Sequence, residues 1–385
     1  MSGRKKTVDA KAIPEQVNEI PEPITEDTGV FPVITDHIDP ADYLSSGVLL
    51  LDLASTNMPD AFLRKGTVNL FVGESGAGKS YLAMQCLAEA ANDPSFDDYL
   101  LVYDDAENGA QFDIRTMFGN RLADRLRPPK QDEDGLPVYS ACVEDMFFSL
   151  DDLINAGKKF IYVIDSIDSL TSSASDQKFE ENKAQRASDL AKGKFTSELS
   201  QGYGDGKAKA LSTCLRRVTR RIADNGSIFI IISQVRQNIT GYGPKYVRSG
   251  GMALRFYNTT EIWVHNSKPI KKTIDGQERI LGHNTKVVIE KNRNTGLKAT
   301  VEFPILIGAG ISDVDAIIEW LGDEGVLKRP SRSNGVWELP DGRKMNRDKL
   351  VEDMENNYET YRDMVVDRWH AILQSITTVR KRKYQ

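Results

Sequence analysis

Residues 73–80 read Gly-Glu-Ser-Gly-Ala-Gly-Lys-Ser, between the apolar run Thr67–Val72 and the helix-forming stretch Tyr81–Gln85. A strand that runs through a glycine loop into a helix is the context in which this spacing makes a phosphate site. Gly73, Gly76 and Gly78 admit backbone conformations closed to residues with a Cβ. The N–H groups of the loop, Glu74, Ser75 and Ala77 among them, can then converge on phosphate oxygens. The helix that follows adds its positive end. Lys79 supplies a charge for the β- and γ-phosphates, and the Ser80 hydroxyl a ligand for magnesium. A random glycine-rich loop can match the string, but not its flanks. The pattern implies a nucleoside triphosphate.

With 385 residues the chain has room for one large domain and small additions. No segment approaches the roughly 20 apolar residues that span a bilayer, and the start, MSGRKKTVDAK, has no signal-peptide core. Cys86, Cys142 and Cys214 are far apart and have no histidine cluster beside them, which fits reduced thiols and a cytoplasmic protein without membrane association. The net charge of −6 excludes a protein that coats nucleic acid with its whole surface. It conceals a local surplus, because residues 207–255 hold ten Lys or Arg against the single acid Asp224. The first 42 residues reverse the balance, with nine acids and four bases. A confined polyanion site is expected in the middle of the chain.

Residues 1–43 form a polar arm whose apolar patch, Val30–Ile34, suits a strand docked on a neighbouring subunit or on its own domain. Continuous apolar runs follow at 67–73, 99–103, 160–164, 228–232, 261–264, 286–289 and 300–306. Runs without alternation are strands covered on both faces, so the fold class is α/β with a mostly parallel central sheet over residues 44–310. Residues 174–200 carry five acids and five bases and read as a solvated helical insertion. Residues 311–385 read as a small, mainly helical domain: a helix over 312–322, a hairpin in NGVWELPDGRKM, one long helix from about Asp348 to Thr377, and a basic tail.

The strand ending at Ile164 runs into Asp165, the usual site of an acid that reaches magnesium through water, although Asp also caps helices. The strand at 99–103 runs into Asp104-Asp105-Ala106-Glu107, where Glu107 has the reach to activate water; a plain acidic loop is the other reading. Gln234 ends the strand at 228–232, placed to sense a γ-phosphate. After it come Arg236, Tyr242, Lys245, Tyr246, Arg248, Gly250 and Gly251, a glycine-rich loop of interleaved aromatic and basic residues. Such a loop suits single-stranded nucleic acid, or else is a solvated surface. Lys291 and Arg293 fall at the tip of a hairpin. They are free to complete a neighbour's nucleotide site, to touch DNA phosphates, or to do neither.

These residues converge on a family. The segments SSGVLLLDLAS, GESGAGKS, Asp105–Glu107, YVIDSIDSL, SQVRQNI, GGMALRFYNT and VVIEKNRNTGLKATVEFPILIGAGI resemble the RecA-type homologous recombinases over roughly 44–310, most of all the phage branch represented by UvsX. The resemblance implies a RecA-like P-loop ATPase core, ATP and Mg2+ as ligands, Glu107 as general base, Asp165 as magnesium residue and Gln234 as γ-phosphate sensor. It implies that Lys291 and Arg293 act in trans, and that Gln201–Lys207 and 236–251 are the two DNA-binding loops, which brings Lys207 into the DNA set. It further implies a DNA-dependent ATPase forming homo-oligomeric helical filaments on single-stranded DNA and pairing it with double-stranded DNA, in a host cytoplasm if phage-encoded. Recombination mediator and single-strand-binding proteins would be its partners. The stretch between Ser166 and Thr213 is longer than the family's. A DnaB-type replicative helicase and an ATP-switched single-stranded DNA-binding accessory protein are the alternatives. The GGMALRFY segment and the Asp105–Glu107 triplet argue against the first.

Overall fold

The apolar runs become strands because both of their faces are covered. A computed structural model describes residues 39–109, 112–192, 204–237, 246–248, 251–331 and 335–376. The strands of its main sheet are β1 (Thr67–Gly73), β2 (Tyr99–Asp104), β3 (Leu126–Arg127), β4 (Lys159–Ile164), β5 (Ile228–Gln237), β6 (Tyr246–Arg248), β7 (Thr260–Ile274), β8 (Gln277–Asn292), β9 (Thr300–Leu306) and β10 (Gly310–Ile311). Among the described residues these form one ten-stranded sheet in the order β10-β9-β8-β7-β1-β5-β4-β2-β3, with β6 beside β5. From β7 to β3 every pairing is parallel, whereas β7 to β10 form an antiparallel meander. The architecture is RecA-like α/β.

Alternation along β5 divides the interior in two. Ile228, Ile230 and Ile232 join one apolar cluster, while Phe229 and Ile231 join the other. The longer helices are α1 (Leu49–Thr56), α2 (Lys79–Asn92), α3 (Val143–Asn155), α4 (Ser173–Ala191), α5 (Gly204–Asn225), α6 (Gly251–Tyr257), α7 (Asp313–Asp323), α8 (Arg347–Asn356) and α9 (Tyr358–Ile376). Leu82 and Leu87 of α2 pack on the first face, and Val143 and Leu150 of α3 pack on the second. Leu211, Leu215, Val218 and Ile222 of α5, spaced for one helix face, cover the second face too. Helix α4 is exposed along most of its described length, as a solvated helix within 174–200 requires, and residues 193–200 lie outside the described residues. The Val30–Ile34 patch, like the rest of residues 1–38, lies outside the described residues.

The C-terminal segment shares the first cluster, through Ile317, Leu321, Leu350, Met354, Tyr361 and Val365. Its hairpin is present, with Trp337–Glu338 antiparallel to Lys344–Met345. The single long helix expected there is instead two. Helix α8 is capped by Asn346, whose side chain accepts from Lys349 N at 3.0 Å, and it ends at Asn357. There the backbone leaves the helical region (φ −127°, ψ 35°), and the Asn357 amide donates to Asp353 O at 2.9 Å, competing with the helical ladder. No described helix is long and apolar enough to cross a membrane.

Candidate nucleotide site and nucleic-acid face

Parallel register assembles the site. Gly73 pairs with Gln234 across β1 and β5, Ile231 with Ile164 across β5 and β4, and Ile164 with Asp104 across β4 and β2. The segments leaving β1, β2, β4 and β5 therefore emerge at one carboxyl edge, where ligands bind in open α/β sheets.

Two glycines shape the phosphate loop for different reasons. A Cβ on Gly73 would lie inside the van der Waals shell of the Val264 carbonyl on β7, so the close approach of two backbones excludes any side chain there. Gly78 adopts φ +100°, and α2 begins directly after it with no side-chain cap on its first turn. An uncapped first turn leaves its N–H groups available to an anion.

Lys79 is 6% exposed, and its Nζ donates to Glu74 O at 2.7 Å. Desolvation lowers the lysine's pKa, and the nearby Asp165, Glu107, Asp168 and Glu74 oppose that shift. Burial likewise raises the Asp165 carboxyl, against hydrogen bonds from Ser80 and Tyr103; the Tyr103 hydroxyl donates to Asp165 Oδ2 at 2.5 Å. Hard oxygen donors on Ser80 and Asp165 thus meet next to the lysine. That donor set fits a magnesium ion that keeps most of its water and binds phosphate oxygens. Among the described residues no group of three His, Cys, Asp or Glu forms a cage for a metal by itself.

The acidic segment after β2 divides its labour. Asp104 points away from the edge and accepts from Ser140 Oγ at 2.6 Å and Tyr162 OH at 2.6 Å, a structural role. Asp105 is buried and accepts from Gly109 N at 3.1 Å. Glu107 is exposed at the edge. Its N–H donates to Asp165 O at 3.0 Å, and its Oε1 accepts from Ser166 Oγ at 3.0 Å and from Gln234 Nε2. The Asp165–Ser166 peptide bond is cis. A carboxylate so placed can orient a water molecule, and the amide beside it can respond to a phosphate.

Lys291 and Arg293 lie at the end of β8, as the hairpin reading expected, but they are not idle there. Lys291 is half-buried, and its Nζ donates to Arg255 O at 2.6 Å, Asn258 O at 2.6 Å and Asn258 Oδ1 at 2.7 Å. Arg293 donates to Phe256 O at 2.9 Å. The two cations sit on the carbonyls that α6 leaves unsatisfied at its C-terminus, which is where positive charge is favoured.

Helix α6 starts at Gly251, and β6 contributes the backbones of Tyr246 and Arg248, paired with Gln237 and Val235. Arg236 lies within β5 opposite Val247. Tyr242, Lys245 and Gly250 lie outside the described residues. Lys207 lies in the first turn of α5 and donates to Asp168 O at 2.8 Å. The sequence reading overlooked Tyr103, Ser166 and Asp168; the signal for Asp168 was its place three residues after Asp165. Lys209, Arg216 and Arg217, counted in the basic surplus of 207–255 but assigned no role of their own, are exposed by α5 on the face opposite its buried leucines.

Comparison with known proteins agrees with this geometry. The model of the RecA N-terminal domain family matches residues 27–312. Protein RecA of Chlorobaculum tepidum is 27% identical over 328 residues, 84% of this chain and 83% of its own length. Protein RecA of Laribacter hongkongensis is 27% identical over 312 residues, covering 81% and 76%. Protein RecA of Paenarthrobacter aurescens is 26% identical over 326 residues, covering 84% and 80%. With its family model matched over most of its length and its phosphate loop at the edge of a parallel sheet, the chain belongs to the RecA family.

Proposed function

We propose that the chain is an ATP-dependent DNA recombinase of the phage UvsX-like branch. It assembles as a helical filament on single-stranded DNA, pairs that strand with a homologous duplex, and hydrolyses ATP to ADP and phosphate. The observation that carries this reading is the meeting of Glu107 with Gln234 beside Lys79 and Asp165, in a chain of the RecA family.

In this reading residues 73–80 hold the triphosphate and Lys79 faces the β- and γ-phosphates. Ser80 and Asp165 hold magnesium, which neutralises charge on the phosphate oxygens. Glu107 orients the attacking water and accepts its proton. Gln234 bonds Glu107 in the structure described here; it exchanges that bond for one to the γ-phosphate and carries the change into the segment beyond β5. The DNA backbone is held by Lys207, Arg236, Lys245 and Arg248, with Tyr242 and Tyr246 as stacking faces and Gly250 and Gly251 allowing close approach; the exposed cations of α5 extend this surface. Lys291 and Arg293 exchange their bonds to the end of α6 for the next subunit's nucleotide, so nucleotide binding and assembly form one linked equilibrium. Head-to-tail contacts that do not close give an open helix. Mediator and single-strand-binding proteins act as loading partners. The test is phosphate release from ATP with and without single-stranded DNA. The wild type is expected to hydrolyse faster with DNA and Lys79→Ala not at all; activity retained by Lys79→Ala, or a wild type indifferent to DNA, overturns the reading.

A further inference from the structure

We propose that Asp168 is a positioning residue that ties the phosphate sensor Gln234 to helix α5, and through it to the segment that would hold DNA; the inference rests on the function proposed above. Strand β5 outruns its neighbour. Beside it β4 ends at Ile164, and the chain then turns, donating one last main-chain bond from Ile167 N to Ile232 O at 2.9 Å. The next N–H along that edge of β5 belongs to Gln234, beyond the end of β4. Asp168 receives it instead, Gln234 N to Oδ2 at 2.6 Å, a charge-assisted bond. The Gln234 side chain meanwhile donates to Glu107, so the sensor is held on its main chain by Asp168 and on its side chain by the candidate base.

The carbonyl of the same Asp168 accepts the Lys207 ammonium at 2.8 Å. Lys207 stands one turn into α5, whose far side exposes Arg216 and Arg217. Gln234, Asp168 and Lys207 therefore form a continuous polar chain from the γ-phosphate position to the basic helix. A turn that merely needed capping would be served by the Ser169 N to Ser166 O bond at 3.1 Å already present. Movement of Gln234 toward a phosphate pulls on Asp168 and so on α5, and DNA held by α5 pulls the other way, because coupling between two sites is reciprocal.

The reporting quantity is a ratio: the dissociation constant for a fluorescent oligo-dT in ADP divided by that in a slowly hydrolysed ATP analogue. Loss of a hydrogen bond to a carboxylate corresponds to roughly tenfold to a hundredfold in such a ratio. Asp168→Ala is expected to lower it at least tenfold, and Asp168→Asn, which keeps an acceptor for Gln234 N, to stay within about threefold of wild type. Lys207→Met is expected to lower the ratio too, and keeps the test open if Asp168→Ala fails to fold. If Asp168 is only structural, Asp168→Ala weakens binding equally in both nucleotides and the ratio holds, which overturns the proposal. If Lys207 serves only as a DNA contact and carries no coupling, Lys207→Met weakens binding equally in both states and reduces the salt slope by about one with the ratio intact, which also overturns it. A wild-type ratio of one is a different failure, since it removes the proposed function itself.

Discussion

Replacing Gly73 by Ala adds one methyl group where the sheet meets the phosphate loop. Gly73 pairs with Val264 of β7, and the added Cβ would stand 3.1 Å from the Val264 carbonyl carbon and closer still to its oxygen. Carbon atoms in contact sit about 3.5–4.0 Å apart, so something must move by roughly 1 Å. Both partners are backbone within a ten-stranded sheet, and no side chain can rotate out of the way. Overpacking of this kind costs about 1–3 kcal/mol, and a loop displaced by 1 Å loses on the order of a hundredfold in turnover. At Gly78 the one tight approach of an added Cβ is to the Ile305 Cδ1 methyl, at 2.6 Å, which can swing aside, with Thr285 Oγ1 at an ordinary 3.4 Å. There the left-handed backbone contributes most of the cost, about 1–2 kcal/mol. Urea titration and calorimetric titration with an ATP analogue measure both quantities. Gly73→Ala with the wild-type urea midpoint and nucleotide affinity would refute the argument from backbone approach.

Glu107→Gln should bind the ATP analogue within a few-fold of wild type while turnover falls by about 10²–10⁴, leaving the protein on DNA; normal turnover would put the base elsewhere. Lys291→Ala and Lys79→Ala subunits, each inactive alone, should recover about a quarter of wild-type ATPase when mixed equally if the cation acts across the interface; no recovery places it in its own subunit. Burial lifts the Asp52 carboxyl to about 8, against donors on Ser45 and Ser46, and lifts Asp313 to about 6. Both folded values exceed the unfolded one, so the folded state binds more protons. Their contribution is complete below about pH 4 and is lost as pH rises to 8. Asp52→Asn should flatten the fall in urea midpoint between pH 5 and 8.5, and an unchanged slope would show that Asp52 is ionised in the fold.

The strands were legible because burial on both faces leaves an unbroken apolar run; 228–232 is apolar at every position, and both of its faces pack. Lys79, Ser80 and Asp165 were legible because each occupies a fixed place after a strand. The contact between Glu107 and Gln234, separated by 127 residues, depends on strand order, which no local pattern states. The reach of β7 and β8 was missed although Asp275-Gly276 at their turn is a hairpin signal, because the residues leading into it are polar and carry no apolar alternation. The break at Asn357 was missed for the opposite reason, since amphipathic periodicity continues across it. The occupation of Lys291 and Arg293 by α6 carbonyls was invisible because a helix end displays its acceptors only once folded.

Electron microscopy of the full chain with single-stranded DNA and a slowly hydrolysed ATP analogue separates a filament-forming recombinase from a ring. Long open helical filaments, absent when ADP replaces the analogue, are the predicted result. Closed rings, or particles indifferent to the nucleotide, would contradict it.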